Sequence, residues 1–185
     1  MSQFDPALRD EIIAAIPNLR AFGISLTGSV DRADDLVQET LLRAFANISS
    51  FRPGTNLSAW LFTILRNLFR SEYRKRRREV PDSDGAFAAT LATSPDQNSH
   101  LDFEDFRAAL DRLPNDQREA LVLVGASGFS YEEAADICGC AVGTIKSRVN
   151  RARNRLGEML AIETSEDFGP DIATRAVLAV GGERR

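Results

Sequence analysis

Two rows of cationic side chains are the residues of this sequence best suited to chemistry, and that chemistry is the binding of phosphates. Arg66, Arg70 and Arg74 form the first row, at steps of four residues, and they follow a polar loop, Gly54-Thr55-Asn56. Arginines neutralise phosphates, and hydrogen-bonding groups in a loop can hold an unstacked base. The combination suits single-stranded DNA, although a basic surface helix without such a function explains the arginines equally well.

The second cationic row lies in residues 146–155, which contain five basic side chains and no acid. Hydroxyl and amide groups alternate with these cations, and phosphate contact alone would not require them. Because Ser and Asn side chains can bond to base edges in the major groove, this face favours binding to duplex DNA over a merely solvated surface. A helix here has a polar outer face and an apolar face opposite it. The outer face consists of Lys146, Ser147, Asn150, Arg151 and Asn154, and the apolar face consists of Ile145, Val149, Ala152 and Leu156.

Amphipathic helices must hold the first row in place. Residues 34–48 and the segment after the polar loop both repeat apolar side chains at steps of three and four. The second of these helices is predicted to expose Arg66, Arg70 and Arg74, with Asn67 at the edge of that face, and to be capped by Asn56 or Thr55. The predicted buried stripes are Val37, Leu41, Ala44, Phe45 and Ile48 in the first helix, and Leu57, Trp60, Leu61, Ile64, Leu65 and Leu68 in the second.

The second row belongs to a predicted helix-turn-helix. Ser130 and Glu133 have the spacing of a capping box, so a short helix is expected to begin after Ser130 and to end near Gly139. A basic helix over residues 144–160 follows a tight turn, which completes the motif. Ala141 is a poor N-cap, so Thr144 is expected to cap this second helix. Two further helices are predicted upstream, over residues 106–113 and 117–124.

Charge divides the chain into parts. The 185 residues carry a formal net charge of −4, which alone argues against nucleic acid, but residues 79–105 contain seven acids and no Lys or Arg. This stretch has two prolines and no periodicity, so it is predicted to be a linker. Helical spacing elsewhere predicts an all-α fold of two small helical domains joined by an acidic flexible linker. The predicted parts are residues 1–78, the linker 79–103, residues 104–160 and a C-terminal tail, 161–185.

Catalysis and metal binding are not expected. The thiol and imidazole groups of the chain are Cys138, Cys140 and His100, which complete neither a disulfide framework nor a zinc site. No Ser/His/Asp set or carboxylate pair indicates an enzyme, and no cofactor is expected. The first residues do not read as a signal peptide, and no apolar run approaches the roughly 18 residues that span a bilayer, so a cytoplasmic protein is expected.

Three motifs within residues 10–160 occur in an order known from one protein family. They are Asp34-Asp35-Leu36-Val37-Gln38-Glu39-Thr40, residues 51–67 with Trp60-Leu61 and Arg66-Asn67, and Gly143-Thr144-Ile145-Lys146-Ser147-Arg148. In turn they resemble the core-polymerase-binding helix, the promoter-melting segment and the region 4 recognition helix of the extracytoplasmic-function (ECF) sigma factors. Three stretches resemble those of the EcfG-type general stress response sigma factors of alphaproteobacteria: residues 54–67, the run Lys75-Arg76-Arg77-Arg78-Glu79-Val80, and Gly125-Ala126-Ser127-Gly128-Phe129-Ser130-Tyr131.

The resemblance implies a sigma factor without enzymatic activity of its own, which binds core RNA polymerase and directs promoter-specific initiation of transcription. The residues that it places against the polymerase are Asp35, Gln38, Glu39 and Arg43. It implies contacts to the minus-10 element by Gly54, Thr55, Asn56, Arg66, Asn67, Arg70 and Arg74, and to the minus-35 element by Thr144, Lys146, Ser147, Arg148, Asn150 and Arg151. The implied partners are core RNA polymerase, promoter DNA and a NepR-like anti-sigma factor, itself controlled by a response regulator that mimics the sigma factor.

Two other functions fit parts of the sequence. A sigma-like module could sequester an anti-sigma protein without binding DNA, but the cations Arg66, Arg70, Lys146 and Arg151 favour DNA binding. A dimeric helix-turn-helix repressor would need a dimerisation seam, which the sequence does not show, and would leave the first cationic helix without a role. A monomer is therefore expected for the free protein, and light scattering separates it from a dimer.

Overall fold

The computed structural model describes residues 6–79 and 99–160, with side chains described for residues 6–76 and 104–160. The chain divides into two compact units, Met1–Ala89 and Thr90–Arg185. Helices are the only regular elements within the described ranges, and the predicted all-α fold of two small helical domains is confirmed. Residues 80–98 of the predicted linker, and the predicted tail from residue 161 onward, lie outside the described residues.

Three α-helices build the first unit. α1 spans Pro6–Thr27, α2 spans Val30–Ala46 and α3 spans Leu57–Glu79, with a short 3₁₀ helix at Ile48–Ser50. Each α-helix buries an apolar stripe against the other two, since packing of such a stripe supplies most of a helix's stability. The core of this unit includes Ile12, Leu19 and Phe22 of α1, Leu36 and Val37 of α2, and Leu61, Phe62 and Leu65 of α3.

Helix α1 was not predicted as a separate element. It contains Pro17, which cannot donate a backbone hydrogen bond and normally argues against a continuous helix. Its packing compensates: a Cβ atom at Gly23 would lie 3.2 Å from the Cβ atom of Ala33, so glycine lets α1 and α2 approach closely. The rings of Phe22 and Phe62 then stack, with centroids 5.0 Å apart.

Helix α2 differs from the prediction in its start and in its buried face. It begins at residue 30 because the hydroxyl of Ser29 accepts a hydrogen bond from the backbone N–H of Arg32 at 3.4 Å. Phe45, predicted in the buried stripe, is 42% exposed, so that prediction is wrong. A small polar residue occupies the buried face instead, since Thr40 is fully buried and its hydroxyl donates to the carbonyl of Leu36 at 2.7 Å.

Four α-helices build the second unit. α4 spans Ser99–Asp111, α5 spans Asn115–Leu121, α6 spans Tyr131–Cys138 and α7 spans Val142–Met159, and a π-helical segment, Val122–Ala126, extends α5. Helix α7 packs against α4, α5 and α6 and is the central element of the unit. A core cluster joins α4 and the turn after it to α7, and its members are Ala109, Leu113, Ala152 and Leu156.

The predicted capping box before α6 is present. The hydroxyl of Ser130 accepts from the backbone N–H of Glu133 at 3.1 Å, and the Glu133 carboxylate accepts from the backbone N–H of Ser130 at 2.9 Å. The helix ends at Gly139, whose φ of 61° lies in the left-handed region that favours glycine. These two boundaries fix the length of the first helix of the helix-turn-helix.

Helix α7 begins earlier than predicted and without a side-chain cap. Its N-cap is Ala141, and Thr144 lies within the first turn, so the prediction that Thr144 caps the helix is wrong. The backbone N–H groups of Thr144 and Ile145 already donate to the Ala141 carbonyl, at 2.9 and 3.3 Å. The buried face of α7, which includes Ile145, Val149 and Ala152, stabilises the helix in place of a strong cap.

Candidate nucleic-acid interface

The loop before α3 presents polar groups at the N-terminal end of that helix. It turns at Gly54, whose φ of 86° is one that side chains rarely allow. The Thr55 hydroxyl donates to the carbonyl of Arg52 at 2.8 Å, and Oδ1 of Asn56 accepts from the backbone N–H of Ala59 at 3.1 Å. Asn56 is therefore the cap of α3, one of the two predicted candidates. All four residues from Arg52 to Thr55, and Asn56 itself, are exposed.

Two aromatic side chains lie beside this loop. The ring centroids of Phe51 and Trp60 are 5.4 Å apart and their planes are tilted by 47°. Both residues are half-buried. Trp60 was predicted to face the core, whereas Phe51 was predicted only to lie in the loop. A partly exposed aromatic surface next to polar groups is suited to stacking of an unpaired base.

The exposed side of α3 is cationic. Asn67, Arg70 and Arg74 lie on this side and are all exposed, as predicted, and so are Lys75 and Arg76. Nε of Arg74 donates to the carbonyl of Arg70 at 3.3 Å. These side chains form what is called here the α3 cationic strip: Arg70, Arg74, Lys75 and Arg76. Such a strip attracts the phosphates of a nucleic-acid strand.

Arg66 does not belong to the α3 cationic strip. Its side chain is only 4% exposed, so the prediction that it lies on the exposed face is wrong. Residue 66 lies four positions after Phe62 and three before Phe69, and both phenylalanines are buried. They move the buried arc of α3 toward Arg66, whereas Trp60 and Ile64, on the opposite border, are only half-buried. Arg66 is therefore part of the interior of the first unit.

The residues predicted to face the polymerase share one side of α2. Asp35, Gln38 and Arg43 are exposed, and Nε of Arg43 lies 2.8 Å from Oε1 of Glu39 in an ion pair one helical turn apart. Leu42 lies among them and is 64% exposed. This side of α2, called here the α2 face, thus combines charged groups with an apolar centre that the sequence did not lead us to predict.

An ion pair connects α1 to α2 next to this face. Nε of Arg20 lies 2.6 Å from Oδ1 of Asp34, and this hydrogen bond lowers the pKa of Asp34 and raises the pKa of Arg20. Nearer the start of α2, burial lowers the pKa of Arg32, and the nearby cation of Arg76 lowers it further. Asp34, the first residue of the motif around α2, therefore has a partner inside its own unit.

The outer face of α7 combines cations with hydrogen-bonding groups. Nζ of Lys146 lies 5.7 Å from the ring centroid of Tyr131 at the start of α6, a cation–π distance. Tyr131 was not predicted to take part, because the contact joins two helices. Cationic, hydroxyl and amide groups on one side of a helix are what readout of base edges requires. The predicted residues on this face are Thr144, Lys146, Asn150 and Arg151, which are exposed, and Ser147, which is half-buried.

Arg148 has a different orientation from the other residues predicted to contact the minus-35 element. Its Nε lies 3.2 Å from Oδ2 of Asp116 in α5, and its Nη1 donates to Sγ of Cys140 at 3.9 Å. The side chain is 21% exposed. Arg148 thus points toward α5 and the turn of the helix-turn-helix.

The described residues give no sign of a metal site or of a membrane-spanning helix. Residues 6–79 and 99–160 contain no group of three or more His, Cys, Asp or Glu side chains that could hold a metal ion. None of the helices described there is long and apolar enough to cross a membrane.

Comparison with known proteins gives matches over both units. The family described as Sigma-70 region 2 matches residues 13–79, and the family described as Sigma-70, region 4 matches residues 103–156. ECF RNA polymerase sigma factor EcfG of Rhodopseudomonas palustris (strain TIE-1) is 72% identical over 176 residues, which cover 95% of this chain and 97% of that relative.

Solved structures show the same similarity. A chain from the complex of the sigma factor RpoE with the anti-sigma factor NepR of Bartonella quintana aligns with a TM-score of 0.77 and 57% identity, covering 86% of this chain and 100% of that chain. A chain from the PhyRSL–NepR complex of Sphingomonas sp. Fr1 aligns with a TM-score of 0.62, covering 85% of this chain and 92% of that chain. Its identity is 23%, which shows a shared fold alone.

The fold and the two matched regions define an RNA polymerase sigma factor. The chain belongs to the ECF sigma factors of the sigma-70 family, as its motifs predicted. Proteins of this family are non-catalytic transcription initiation factors. This protein accordingly binds core RNA polymerase and directs promoter-specific initiation of transcription.

Proposed function

We propose that this protein is an EcfG-type sigma factor that directs RNA polymerase, in the cytoplasm, to the promoters of general stress response genes. The observation that carries the proposal is that each unit exposes one cationic helix with hydrogen-bonding groups, in a chain 72% identical to an EcfG sigma factor. One helix lies beside a loop suited to an unpaired base, and the other is the second helix of a helix-turn-helix. Two such surfaces fit the melted and the duplex parts of a promoter.

In this proposal the first unit holds the melted minus-10 element. Gly54 and Thr55, together with Asn67, contact a base that has left the stack, while Asn56 fixes the loop by capping α3. Arg70 and Arg74 neutralise the phosphates of the same strand. The exposed loop and the half-buried aromatic pair beside it support this assignment. Because Arg66 is buried, its proposed role is to support α3 rather than to touch DNA.

The second unit reads the minus-35 element through α7 in the major groove. Lys146, Ser147, Asn150 and Arg151 face the base edges, and Thr144 lies in the first turn, where the helix dipole favours a phosphate. Bidentate contacts from arginine to guanine, and from asparagine to adenine, each discriminate by about 1–3 kcal/mol. The outer face of α7 therefore offers both affinity and base preference.

The α2 face is the proposed docking site for core RNA polymerase. An apolar centre at Leu42, surrounded by Asp35, Gln38 and Arg43, matches the usual anatomy of a protein interface, with an apolar core inside a polar rim. The ion pair between Glu39 and Arg43 orients part of that rim. Docking through α2 leaves the loop and the strip on α3 available to DNA.

A NepR-like anti-sigma factor is the proposed regulator. The RpoE relative, 57% identical to this chain, was solved in complex with NepR. A response regulator that mimics the sigma factor is the proposed means of release, and the sigma-like fold in the PhyRSL–NepR complex is compatible with such mimicry. In this scheme the anti-sigma factor blocks the sigma factor until the response regulator takes its place.

Transcription by purified core RNA polymerase tests the proposal. With core enzyme, the protein should give promoter-specific transcripts, and replacing both Lys146 and Arg151 by Ala should abolish them while binding to a NepR-like protein persists. Arg112→Ala, which removes an exposed cation outside α7, is the matched control and should change nothing. Promoter activity that survives the double substitution contradicts the assignment of α7. A wild-type protein that binds the anti-sigma factor but supports no transcription would instead be a sequestering module.

A further inference from the structure

Arg148 lies at the border between the buried and the exposed sides of α7. A helix turns by about 100° per residue, so around the helix axis Arg148 lies roughly 60° from Ile145 on one side and roughly 60° from Arg151 on the other. Ile145 is fully buried and Arg151 is exposed. A side chain at such a border can turn either way. In this structure its guanidinium turns inward, to Asp116 of α5 at 3.2 Å and to Sγ of Cys140 at 3.9 Å.

These contacts join three parts of the helix-turn-helix unit. Asp116 lies in the first turn of α5, Cys140 lies in the turn between α6 and α7, and Arg148 lies in the second turn of α7. The N-terminus of α7 has no side-chain cap, so the helix is held by contacts with its neighbours, through its buried face and through Arg148 at the border of that face. A charged contact to α5 therefore limits the rotation of α7 about its axis.

We propose that Arg148 is a positioning residue for the minus-35 readout: paired with Asp116, it sets the rotation of α7 so that Lys146 and Arg151 reach their base edges. This inference rests on the proposed function of α7 as the recognition helix. It departs from the expectation that Arg148 itself contacts DNA. The proposal also assigns a function to Asp116, whose negative charge would otherwise only repel DNA near the proposed recognition helix.

The alternative is that, when DNA binds, Arg148 leaves Asp116 and contacts a phosphate or a base instead. The two ideas predict opposite signs for Asp116→Asn. If Arg148 contacts DNA, this substitution frees a cation and removes a repelling charge, so binding becomes tighter. If Arg148 positions α7, binding becomes weaker although a negative charge has been removed. Since Asp116 is 48% exposed, we expect a loss of about threefold in affinity, at the scale of a partly exposed ion pair.

The test uses holoenzyme assembled from core RNA polymerase and the full chain, on a promoter that the wild-type holoenzyme selects from a pool randomised at the minus-35 element. Asp116→Asn should bind this promoter about threefold more weakly and accept more base changes in it. Asp136→Asn, which removes an exposed acid of α6, is the matched control and should bind as well as wild type or slightly better. Unchanged or tighter binding by Asp116→Asn overturns the proposal.

Salt dependence and a charge exchange give independent readouts. Arg148→Gln should weaken binding with the slope of log affinity against log salt unchanged, whereas the loss of a direct phosphate contact would lower that slope by about 0.9. The exchanged pair, Asp116→Arg with Arg148→Asp, should recover most of the affinity. A lowered slope for Arg148→Gln, or no recovery in the exchanged pair when it folds as wild type by circular dichroism, argues for direct DNA contact and overturns the proposal.

Failure of this inference is distinguishable from failure of the proposed function. A wild-type holoenzyme that selects no minus-35 sequence removes the recognition role of α7 altogether. A holoenzyme that selects one, and loses it with Lys146→Ala and Arg151→Ala, keeps that role whatever Asp116→Asn does. If Arg148→Gln does not fold, the promoter affinity of the conservative Asp116→Asn variant decides the question by itself.

Discussion

Replacing Leu42 by Ala should weaken binding to core RNA polymerase and leave the stability of the free protein nearly unchanged. Leu42 is 64% exposed on α2, so most of its surface is available to a partner and little of it supports the core. Full burial of a leucine side chain contributes about 1.5–3 kcal/mol. About two-thirds of that, roughly 1–2 kcal/mol, is available to docking, which corresponds to an increase in Kd of about fivefold to thirtyfold.

The measurement is fluorescence anisotropy of labelled protein titrated with core RNA polymerase at fixed ionic strength. Ile13→Ala is the matched control, because Ile13 is 55% exposed but lies on α1, outside the α2 face. We expect it to leave Kd unchanged, and both variants to unfold within about 0.5 kcal/mol of wild type. If Leu42→Ala binds like wild type, or if Ile13→Ala weakens binding as much, the polymerase does not dock on the α2 face.

The remaining substitutions test stability. Ser130→Ala removes the acceptor of the capping box and should lower the free energy of unfolding of the second unit by about 1 kcal/mol, followed by circular dichroism in urea; no loss would mean that the cap is not formed in solution. Arg66→Ala should cost about 2 kcal/mol because it empties a buried site, whereas exposed Arg70→Ala should cost less than about 0.5 kcal/mol, and equal losses would contradict the burial of Arg66. Since Arg20 lowers the pKa of Asp34 in the folded state, this pair stabilises the fold above the unfolded pKa of about 3.9 and ceases to do so as pH falls through the folded value. The difference in thermal stability between wild type and Asp34→Asn should therefore vanish in acid; a difference that grows in acid would reverse the assigned sign.

The helix-turn-helix could be predicted from the sequence because local interactions determine it. The capping box joins residues three apart, Ser130 and Glu133, and the stop at Gly139 depends on the backbone freedom of one residue. The same holds for Asn56, whose side chain caps the helix that begins at the next residue. Helix type and several helix ends follow from such short-range rules, so the all-α class was predictable as well.

The orientation of the helices was harder to predict, because it depends on their neighbours. Phe62 and Phe69 draw Arg66 into the core only when other helices pack on that side of α3. Likewise the small residues Thr40 and Ala44 lie on the buried side of α2, whereas Phe45 is exposed. The inward turn of Arg148 depends on Asp116, a residue far away in the sequence. The sequence shows the spacing of apolar residues along each helix, but it does not show how much of the helix surface the neighbouring helices will bury.

The two cationic surfaces differ in how firmly their charges are held, and the difference matches what each is proposed to recognise. On α7, Lys146 rests against Tyr131, and Arg148 is paired with Asp116 at the edge of the same helix. On α3, Arg70 and Arg74 lie on the exposed side, and the contact that joins them, from Nε of Arg74 to the carbonyl of Arg70, stays within the helix itself. Hydrogen bonds to base edges tolerate only a few tenths of an ångström, so a reading helix needs fixed side chains, whereas phosphate neutralisation depends on charge and tolerates movement. The contacts around α7 and the exposed cations of α3 therefore fit the proposal that the second unit reads duplex DNA and the first unit holds a melted strand.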